Sequence, residues 1–305
     1  MLIGVDVGGT NLRVGVVQEK RVIAEQRVHA DFSRLCHDNP PEISLAAIHA
    51  TLLQALRNAL KEHPETRGIG IGFPGFVQPA TGHIPHSPNL PGLRDIDLAT
   101  PLREALGLPV IVANDANAAA YAEFLLSGQE GGLIYLGLGT GVGGGLIHHG
   151  KIVQGDHGMA MEIGHLIVEP DGRECGCGNR GCMERYASAS GVTLNYASAT
   201  GETLDAQEIA QRARSGDTHA QAAYAQAGER LAQALAHILK VTDASRVIIG
   251  GGMSKAWPLM RETFERRLNA DLIPALRGRV EISLSALNDQ AGIIGAALLA
   301  GVCDD

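Results

Sequence analysis

One pattern occurs twice in this chain. Leu2-Ile-Gly-Val-Asp6-Val7 runs into Gly8-Gly9-Thr10, and Leu12-Arg-Val-Gly-Val-Val17 follows; later Leu133-Ile-Tyr-Leu-Gly-Leu138 runs into Gly139-Thr140-Gly141, and Gly-Gly-Leu-Ile147 follows. Each copy reads as an apolar strand, a glycine-threonine tip and a second strand, which is a hairpin. Two copies of one unit in one chain imply a fold built from duplicated halves. The second copy also contains Gly139-x-Gly141-x-x-Gly144, which matches a dinucleotide-binding fingerprint. That fingerprint requires a helix directly after the glycines. Here Leu146-Ile-His-His-Gly-Lys-Ile-Val153 reads as strand and turn, so a dinucleotide site is rejected.

Backbone N–H groups at such tips, with a hydroxyl from Thr10 or Thr140, make small concave donor sites suited to phosphate oxygens. One tip alone reads equally well as a plain turn, and the repeat favours the phosphate reading. Asp6, just before the first tip, is placed to organise Mg2+, through water because this ion sheds its waters reluctantly. A third glycine run, Gly250-Gly251-Gly252, follows the strand Arg246-Val-Ile-Ile249 and precedes a helix starting near Met253. Backbone without side chains there lets a flat heterocycle lie close.

A second constraint is the segment from His165 to Glu184, which holds three of the five cysteines in a C-x-C-x4-C pattern: Cys175, Cys177 and Cys182. With His165 upstream they supply three sulfurs and one imidazole nitrogen, the closed tetrahedral set of a structural zinc. Buried thiols or a disulfide pair are the alternative, and the spacing favours the metal. Glu162 and Glu184 flank the loop, so a metal there also fixes two carboxylates. The second nitrogen of a metal-bound imidazole is a directed N–H donor. It suits a hydroxyl oxygen of a polar ligand whose hydroxyl protons Glu162 and Glu184 accept.

Between the hairpins, Pro41 to His63 carries Ile43, Ala47, Leu52, Leu56 and Leu60 at helical spacing. Gly68 to Phe73 is a buried strand ending at Pro74-Gly75, and Gln78 to Pro91 reads as loop. Leu108 to Val112 is a strand, followed by a helix over Ala113 to Leu126. Asn114 and Asp115 are natural N-caps for that helix. Capping needs only one of them, and a carboxylate at the end of a buried strand is also placed to face a cleft. Asp205 to Arg214 and Thr218 to Val241 are alanine- and leucine-rich scaffold helices. Gln290 to Ala300 is an apolar helix with small residues on one side, fit for close packing. The absence of a linker-like stretch places chain crossings between halves near 113 to 118 and near 288.

The length of 305 residues suggests about two domains, and 45% hydrophobic residues suffice for two cores. A formal net charge of −8 argues against a nucleic-acid partner, which selects a basic face. No apolar run approaches the ~18 residues of a membrane span. A strand pattern from Leu2 leaves no room for a signal peptide, so a cytoplasmic protein is expected. Cys36 and Cys303, left outside the metal set, suit the same reducing compartment.

Taken together, Asp6-x-Gly8-Gly9-Thr10, Gly139-Thr140-Gly141, Gly250-Gly251-Gly252 and above all Cys175-Gly-Cys177-Gly-x-x-Gly-Cys182-x-Glu184 resemble the ROK family of sugar kinases, over nearly the whole chain. The resemblance implies a two-domain α/β fold of the actin-like ATPase (ribonuclease H-like) type, with a duplicated core and a cleft. It divides the chain into a small α/β domain of residues 1–115 with 289–305 and a large α/β domain of 116–288 carrying the zinc loop. It implies ATP, Mg2+ and structural zinc, a hexose substrate and a homodimer. Asn114 would contact the sugar and Asp115 would be the catalytic base. Glu162, His165 and Glu184 would contact the sugar, with Gly75 and Asn89 as a supporting wall.

There are departures from the pattern. The position after Thr10 is often lysine in the family and is Asn11 here, which leaves its phosphate contact open. The residue before Glu162 is usually glycine and is Met161, which leaves the shape of the sugar pocket open. The expected activity is ATP-dependent phosphorylation of a hexose hydroxyl, with C6 of glucose favoured by Ser87-Pro-Asn89-Leu-Pro. An N-acetylmannosamine or N-acetylglucosamine kinase is the alternative within enzymes. A sugar-responsive regulator is disfavoured by a first strand starting at Leu2. A chaperone-like ATP-dependent member of the wider fold is disfavoured by Asp115, Glu162 and Glu184.

Overall fold

The computed structural model describes residues 1–8, 11–78, 81–87, 90–128 and 130–301. Gly9, Thr10, Asn89 and Cys303, singled out above, lie outside the described residues. Strands β1 (Leu2–Val7) and β2 (Asn11–Gln18) form the first expected hairpin, and β3 (Arg21–His29) adds to it antiparallel. Every second residue of β3 is exposed, the pattern of an edge strand with one wet face. Helices α1 (Phe32–Asp38) and α2 (Pro41–Glu62) follow, then β4 (Ile69–Phe73).

Helix α2 differs from expectation in its facing. Ile43 is 56% exposed, and the buried stripe is Ser44, Ile48, Leu52, Ala55, Leu56 and Ala59. Ser44 belongs to it because its hydroxyl donates to the Leu35 carbonyl at 3.2 Å. The stretch expected to be loop contains β5 (Ile84–His86), which pairs with β6 (Arg94–Ile96). Burial of Ile84 and Ile96 holds this ribbon against the first core. Helix α3 (Ala99–Leu106), strand β7 (Val110–Asn114) and helix α4 (Asp115–Ser127) complete the first half.

The second half repeats the plan. Strands β8 (Leu133–Leu138), β9 (Val142–His148) and β10 (Lys151–Ile152) form an antiparallel series. Four helices follow: α5 (Glu184–Ala187), α6 (Ala189–Thr200), α7 (Ala206–Arg214) and α8 (Thr218–Thr242). Strand β11 (Arg246–Gly250), helix α9 (Trp257–Asp271), strand β12 (Glu281–Leu284) and helix α10 (Ala291–Gly301) end the described chain. Among the described residues there are two five-stranded sheets, ordered β3-β2-β1-β4-β7 and β10-β9-β8-β11-β12. In each, the first hairpin is antiparallel and the two later strands are parallel to its first strand. The duplication read from two tips is therefore a duplication of whole sheets. Val142–His148 is a strand, as the rejection of a dinucleotide site required.

One core lies between the first sheet and α2, the other between the second sheet and α8. Helices α4 and α10 sit between the sheets, α10 against β1 and β4, α4 against β8 and β9, and each against the other. Small residues set these distances. A Cβ at Gly70 of β4 would collide with the Ala296 carbonyl of α10, one at Gly145 of β9 would lie 2.5 Å from the Ala120 Cβ, and one at Gly295 of α10 would collide with the Ala118 carbonyl of α4. Among the described residues no helix is long and apolar enough to cross a membrane. Because the obstacle at Gly295 is backbone, Gly295→Ala should destabilise the protein by about 1–3 kcal/mol, seen as a lower guanidinium midpoint with an unchanged m-value.

Candidate active site

The β7–α4 junction places the first pair of candidate residues. Asn114 ends β7 in extended conformation, and its side chain accepts the Asn117 N–H at 3.0 Å while its amide nitrogen donates to the Gly75 carbonyl at 3.1 Å. Capping therefore uses the oxygen, and the nitrogen ties α4 to the turn after β4. Asp115 opens the helix half-buried, its Oδ1 accepting the Ala116 N–H at 2.8 Å. A helix N-terminus favours a carboxylate. Here burial outweighs it and, with the nearby Asp6 and Glu162 carboxylates, pushes the Asp115 pKa up to about 7.

Asp6 is the last residue but one of β1, opposite Arg13 in the hairpin register, with Arg13 Nη1 3.8 Å away. It also abuts the first turn of α10, where a Cβ on Gly292 would stand 3.2 Å from its carboxyl carbon. Burial raises its pKa against the lowering by Arg13, and Asp289 and Glu25 raise it further. The Gly8 N–H donates to the Asn11 carbonyl at 2.9 Å and so begins the tip, and Asn11 starts β2 exposed.

The cysteine loop is approached through Glu162, whose charge acts on Asp115. Met161, with φ of 68°, turns the chain into Glu162 and a 3-10 turn over Ile163–His165. His165 Nδ1 lies 3.7 Å from the Cys175 sulfur, the Cys177 and Cys182 sulfurs are 3.6 Å apart, and all four ligand atoms fall within 4.8 Å of one another. A tetrahedral site with bonds of about 2.0–2.3 Å has edges of roughly 3.3–3.8 Å, so the donor set fits a closed four-coordinate ion. His165 Nε2 points away from the sulfurs and lies 3.8 Å from Glu162 Oε2. Burial raises the Glu162 pKa, His165 lowers it and Glu184 raises it.

The loop is pinned from outside. Arg173 donates to the Arg185 carbonyl at 2.8 Å and to Asn195 Oδ1 at 2.7 Å, stacked 4.6 Å from the centre of the Tyr186 ring. Arg230 pairs with Glu169, and Gln233 donates to the Val168 carbonyl at 3.1 Å, both from α8.

Glu184 joins the loop to the second tip, its Oε2 accepting the Val142 N–H at 2.9 Å. Behind that tip, the Ala189 N–H donates to the Gly139 carbonyl and Ser190 Oγ donates to the Thr140 carbonyl, each at 2.9 Å. In the third glycine run, Gly250 and Gly251 are demanded by packing: side chains there would strike Tyr135 and the Leu138 backbone. A Cβ on Gly252 would meet nothing within 4 Å, so open space begins there.

The structure thus brings Asp6, Asp115 and Glu162 within electrostatic reach of one another, Gly75 against Asn114, and Glu162 beside His165. Sequence reasoning missed Arg13, Ser188 and Ser190. Counting outward from the first tip pairs Asp6 with Arg13, so that signal was available; nothing local marks the serines, which reach the second tip only through the α5–α6 turn.

Comparison with known proteins gives the family of the chain. A glucokinase of Thermotoga maritima is 33% identical, with 97% of this chain and 96% of that protein aligned. An N-acetylmannosamine kinase of Escherichia coli O139:H28 is 32% identical over 98% of this chain and 97% of its own. The crystal structure of a ROK family glucokinase from Streptomyces griseus in complex with glucose and AMPPNP superposes with a TM-score of 0.82, at 33% identity and 99% coverage of both chains. With these neighbours and a ROK family model matching residues 2–302, the chain belongs to the ROK family and has its actin-like, two-domain α/β kinase fold.

Proposed function

We propose that this protein transfers the terminal phosphoryl group of ATP to the C6 hydroxyl of glucose, with Asp115 as general base. The observation that carries the proposal is the half-buried Asp115 carboxylate at the head of α4, within electrostatic reach of Asp6 and of Glu162, which itself lies 3.8 Å from His165. The activity of the glucokinase relatives, and the glucose and AMPPNP held by the Streptomyces griseus structure, support it. A second reading, N-acetylmannosamine as acceptor, is favoured by the relative of that activity at nearly the same identity.

Phosphoryl transfer is mostly positioning and charge stabilisation. Asp115 accepts a hydrogen bond from the acceptor hydroxyl and takes its proton as the bond to phosphorus forms. Asn114, Glu162, His165 and Glu184 hold the other hydroxyls, backed by the Gly75 turn and by Asn89. The two glycine-threonine tips, Gly8-Gly9-Thr10 with Asn11 and Gly139-Thr140-Gly141, take the phosphates, and Gly250-Gly251-Gly252 borders the adenosine. Asp6 would hold magnesium, which would neutralise phosphate charge when bound.

His165, Cys175, Cys177 and Cys182 would hold a structural zinc, which would fix the direction of His165 and of both glutamates and take no part in the transfer. We assign residues 1–115 with 289 onward to the small domain and 116–288 to the large one. The free thiols of the loop suit a cytoplasmic setting, and a homodimer completes the assignment.

An ADP-release assay across glucose, mannose, fructose, allose and the two N-acetylhexosamines tests the proposal; release with none of them refutes it, and a preference for N-acetylmannosamine selects the second reading. Asp115→Asn should lower kcat by at least about 100-fold while metal content stays unchanged. Since Asp115 must be ionised to accept a proton, kcat/KM should fall as pH drops below about 7 and level off above it. The raised pKa makes ionised Asp115 a cost to stability that builds up as pH rises from about 4 to about 7 and stays constant above that, so at pH 8 Asp115→Asn should melt no lower than the parent. Cys177→Ala should lose the metal and weaken sugar binding by about 10–100-fold, with a smaller effect on nucleotide binding, both measured by calorimetry.

A further inference from the structure

Arg13 was chosen for neither tip nor loop, yet it is among the most enclosed charged side chains of the first half. Its side chain is 11% exposed, and its guanidinium meets oxygens from three other elements. Nε donates to Glu25 Oε1 of β3 at 3.0 Å, and Nη2 lies 3.0 Å from the same oxygen. Nη1 donates to the Asp289 backbone carbonyl, and Nη2 lies 3.5 Å from the Asp289 carboxylate. The remaining approach, 3.8 Å from Nη1, is to Asp6 on β1.

The sheet register makes this costly to build. Arg13 stands directly opposite Arg27 on β3, and like charges in that relation repel. Glu25 and Asp289 each bridge both arginines: Glu25 accepts from Arg27 Nε at 2.8 Å, and Asp289 accepts from Arg27 Nη2 at 3.2 Å. Asp289 is not a residue of the first sheet. It lies in the 3-10 turn Asn288–Gln290, reached through the left-handed Asn288, where the chain leaves β12 of the second sheet and enters α10 against the first. A planar guanidinium can hold several oxygens in fixed directions, and an ammonium cannot.

We propose that Arg13 is a positioning residue that sets the Asp6 carboxylate and the interdomain crossover at Asp289 with respect to one another. On the assignment above, Asp6 lies on the phosphate side of the cleft, and the crossover is one of the two points where the chain passes between the halves. The guanidinium therefore couples the placement of the nucleotide's phosphates to the angle between the sheets. This rests on the kinase proposal above, and the sugar contacts on the other side of the cleft are independent of it.

The test compares the parent with Arg13→Met, Arg13→Lys and Asp289→Ala, the last altering an exposed carboxylate. Calorimetry measures binding of glucose alone and of AMPPNP with magnesium, and steady-state assays measure kcat and both KM values. Arg13→Met should bind the nucleotide at least tenfold more weakly and lose at least 30-fold in kcat, while glucose binding changes less than threefold. Arg13→Lys, which keeps the charge without the fork, should recover less than a tenth of the lost kcat. Asp289→Ala should raise the nucleotide KM severalfold and leave the glucose affinity unchanged. If Arg13→Met does not fold, the Lys and Asp289 variants decide alone: parental nucleotide binding and kcat in both overturn the proposal. The same holds if folded Arg13→Met keeps parental nucleotide affinity, or if glucose and nucleotide binding fall equally. A parent that phosphorylates no hexose defeats the kinase proposal instead, and loss of nucleotide affinity in Arg13→Met would still support the positioning role.

Discussion

Helix α4 meets helix α10 with backbone against backbone at Ala118 and Gly295, and the site is referenced to that contact. Each helix begins at a candidate residue: α4 opens with Asp115, and the first turn of α10 abuts Asp6. Each also lies on one of the two sheets, through Gly145 for α4 and Gly70 for α10. Two sheets that would otherwise have independent positions are thereby fixed through a pair of helices, with a glycine facing an alanine at each of these contacts. A larger residue at any of these places would move a carboxylate along with a helix. Glycine is used here for proximity, and the destabilisation it brings to helix and strand is offset by the contacts it permits.

What the contact holds together is electrostatically unfavourable. Asp6, Asp115 and Glu162 all have pKa values raised by burial, and Asp115 is raised further by the other two. A protein selected for stability alone would separate them. In the proposed reaction the same crowding has a use: it keeps Asp115 basic enough to take a proton near neutrality and leaves a concentration of negative charge that a phosphate-bound cation relieves. Arg13 tempers the charge at Asp6, and His165 tempers it at Glu162. The site is therefore partly compensated before any ligand arrives.

The sequence disclosed much of this because the informative units are local. A strand, a glycine tip and a strand are contiguous, so both hairpins and the duplication were legible, and the observed sheets repeat the same order. The convergence of His165 with the three cysteines was legible because most of their spacing is local too. The small β5–β6 ribbon was hidden by proline and glycine, which report turns but not that Ile84 between them is buried. The facing of α2 was misjudged because Ser44 reads as polar, whereas its hydroxyl finds a carbonyl and turns the helix. Arg13 and the serines behind Thr140 were missed for a different reason. The serines act across the α5–α6 turn and Arg13 reaches Asp289 far away in sequence, where no periodicity reaches, although the hairpin register did offer the pairing of Arg13 with Asp6.

Met161 shows how far local rules can be set aside when the surroundings determine a conformation. A left-handed backbone costs an ordinary residue roughly 1–2 kcal/mol, and glycine avoids the cost. Met161 takes φ of 68° directly before Glu162, its carbonyl accepting the Ile163 N–H at 2.7 Å. Its side chain packs half-buried on the core of the second half. Burying part of a methionine recovers on the order of 1 kcal/mol, enough to offset much of the strain. A glycine would relieve the backbone but remove that anchor, and the turn into Glu162 and His165 would be held only by its hydrogen bonds. The substitution that looks least favourable for the local backbone is thus the one that fixes the direction in which Glu162 leaves the core.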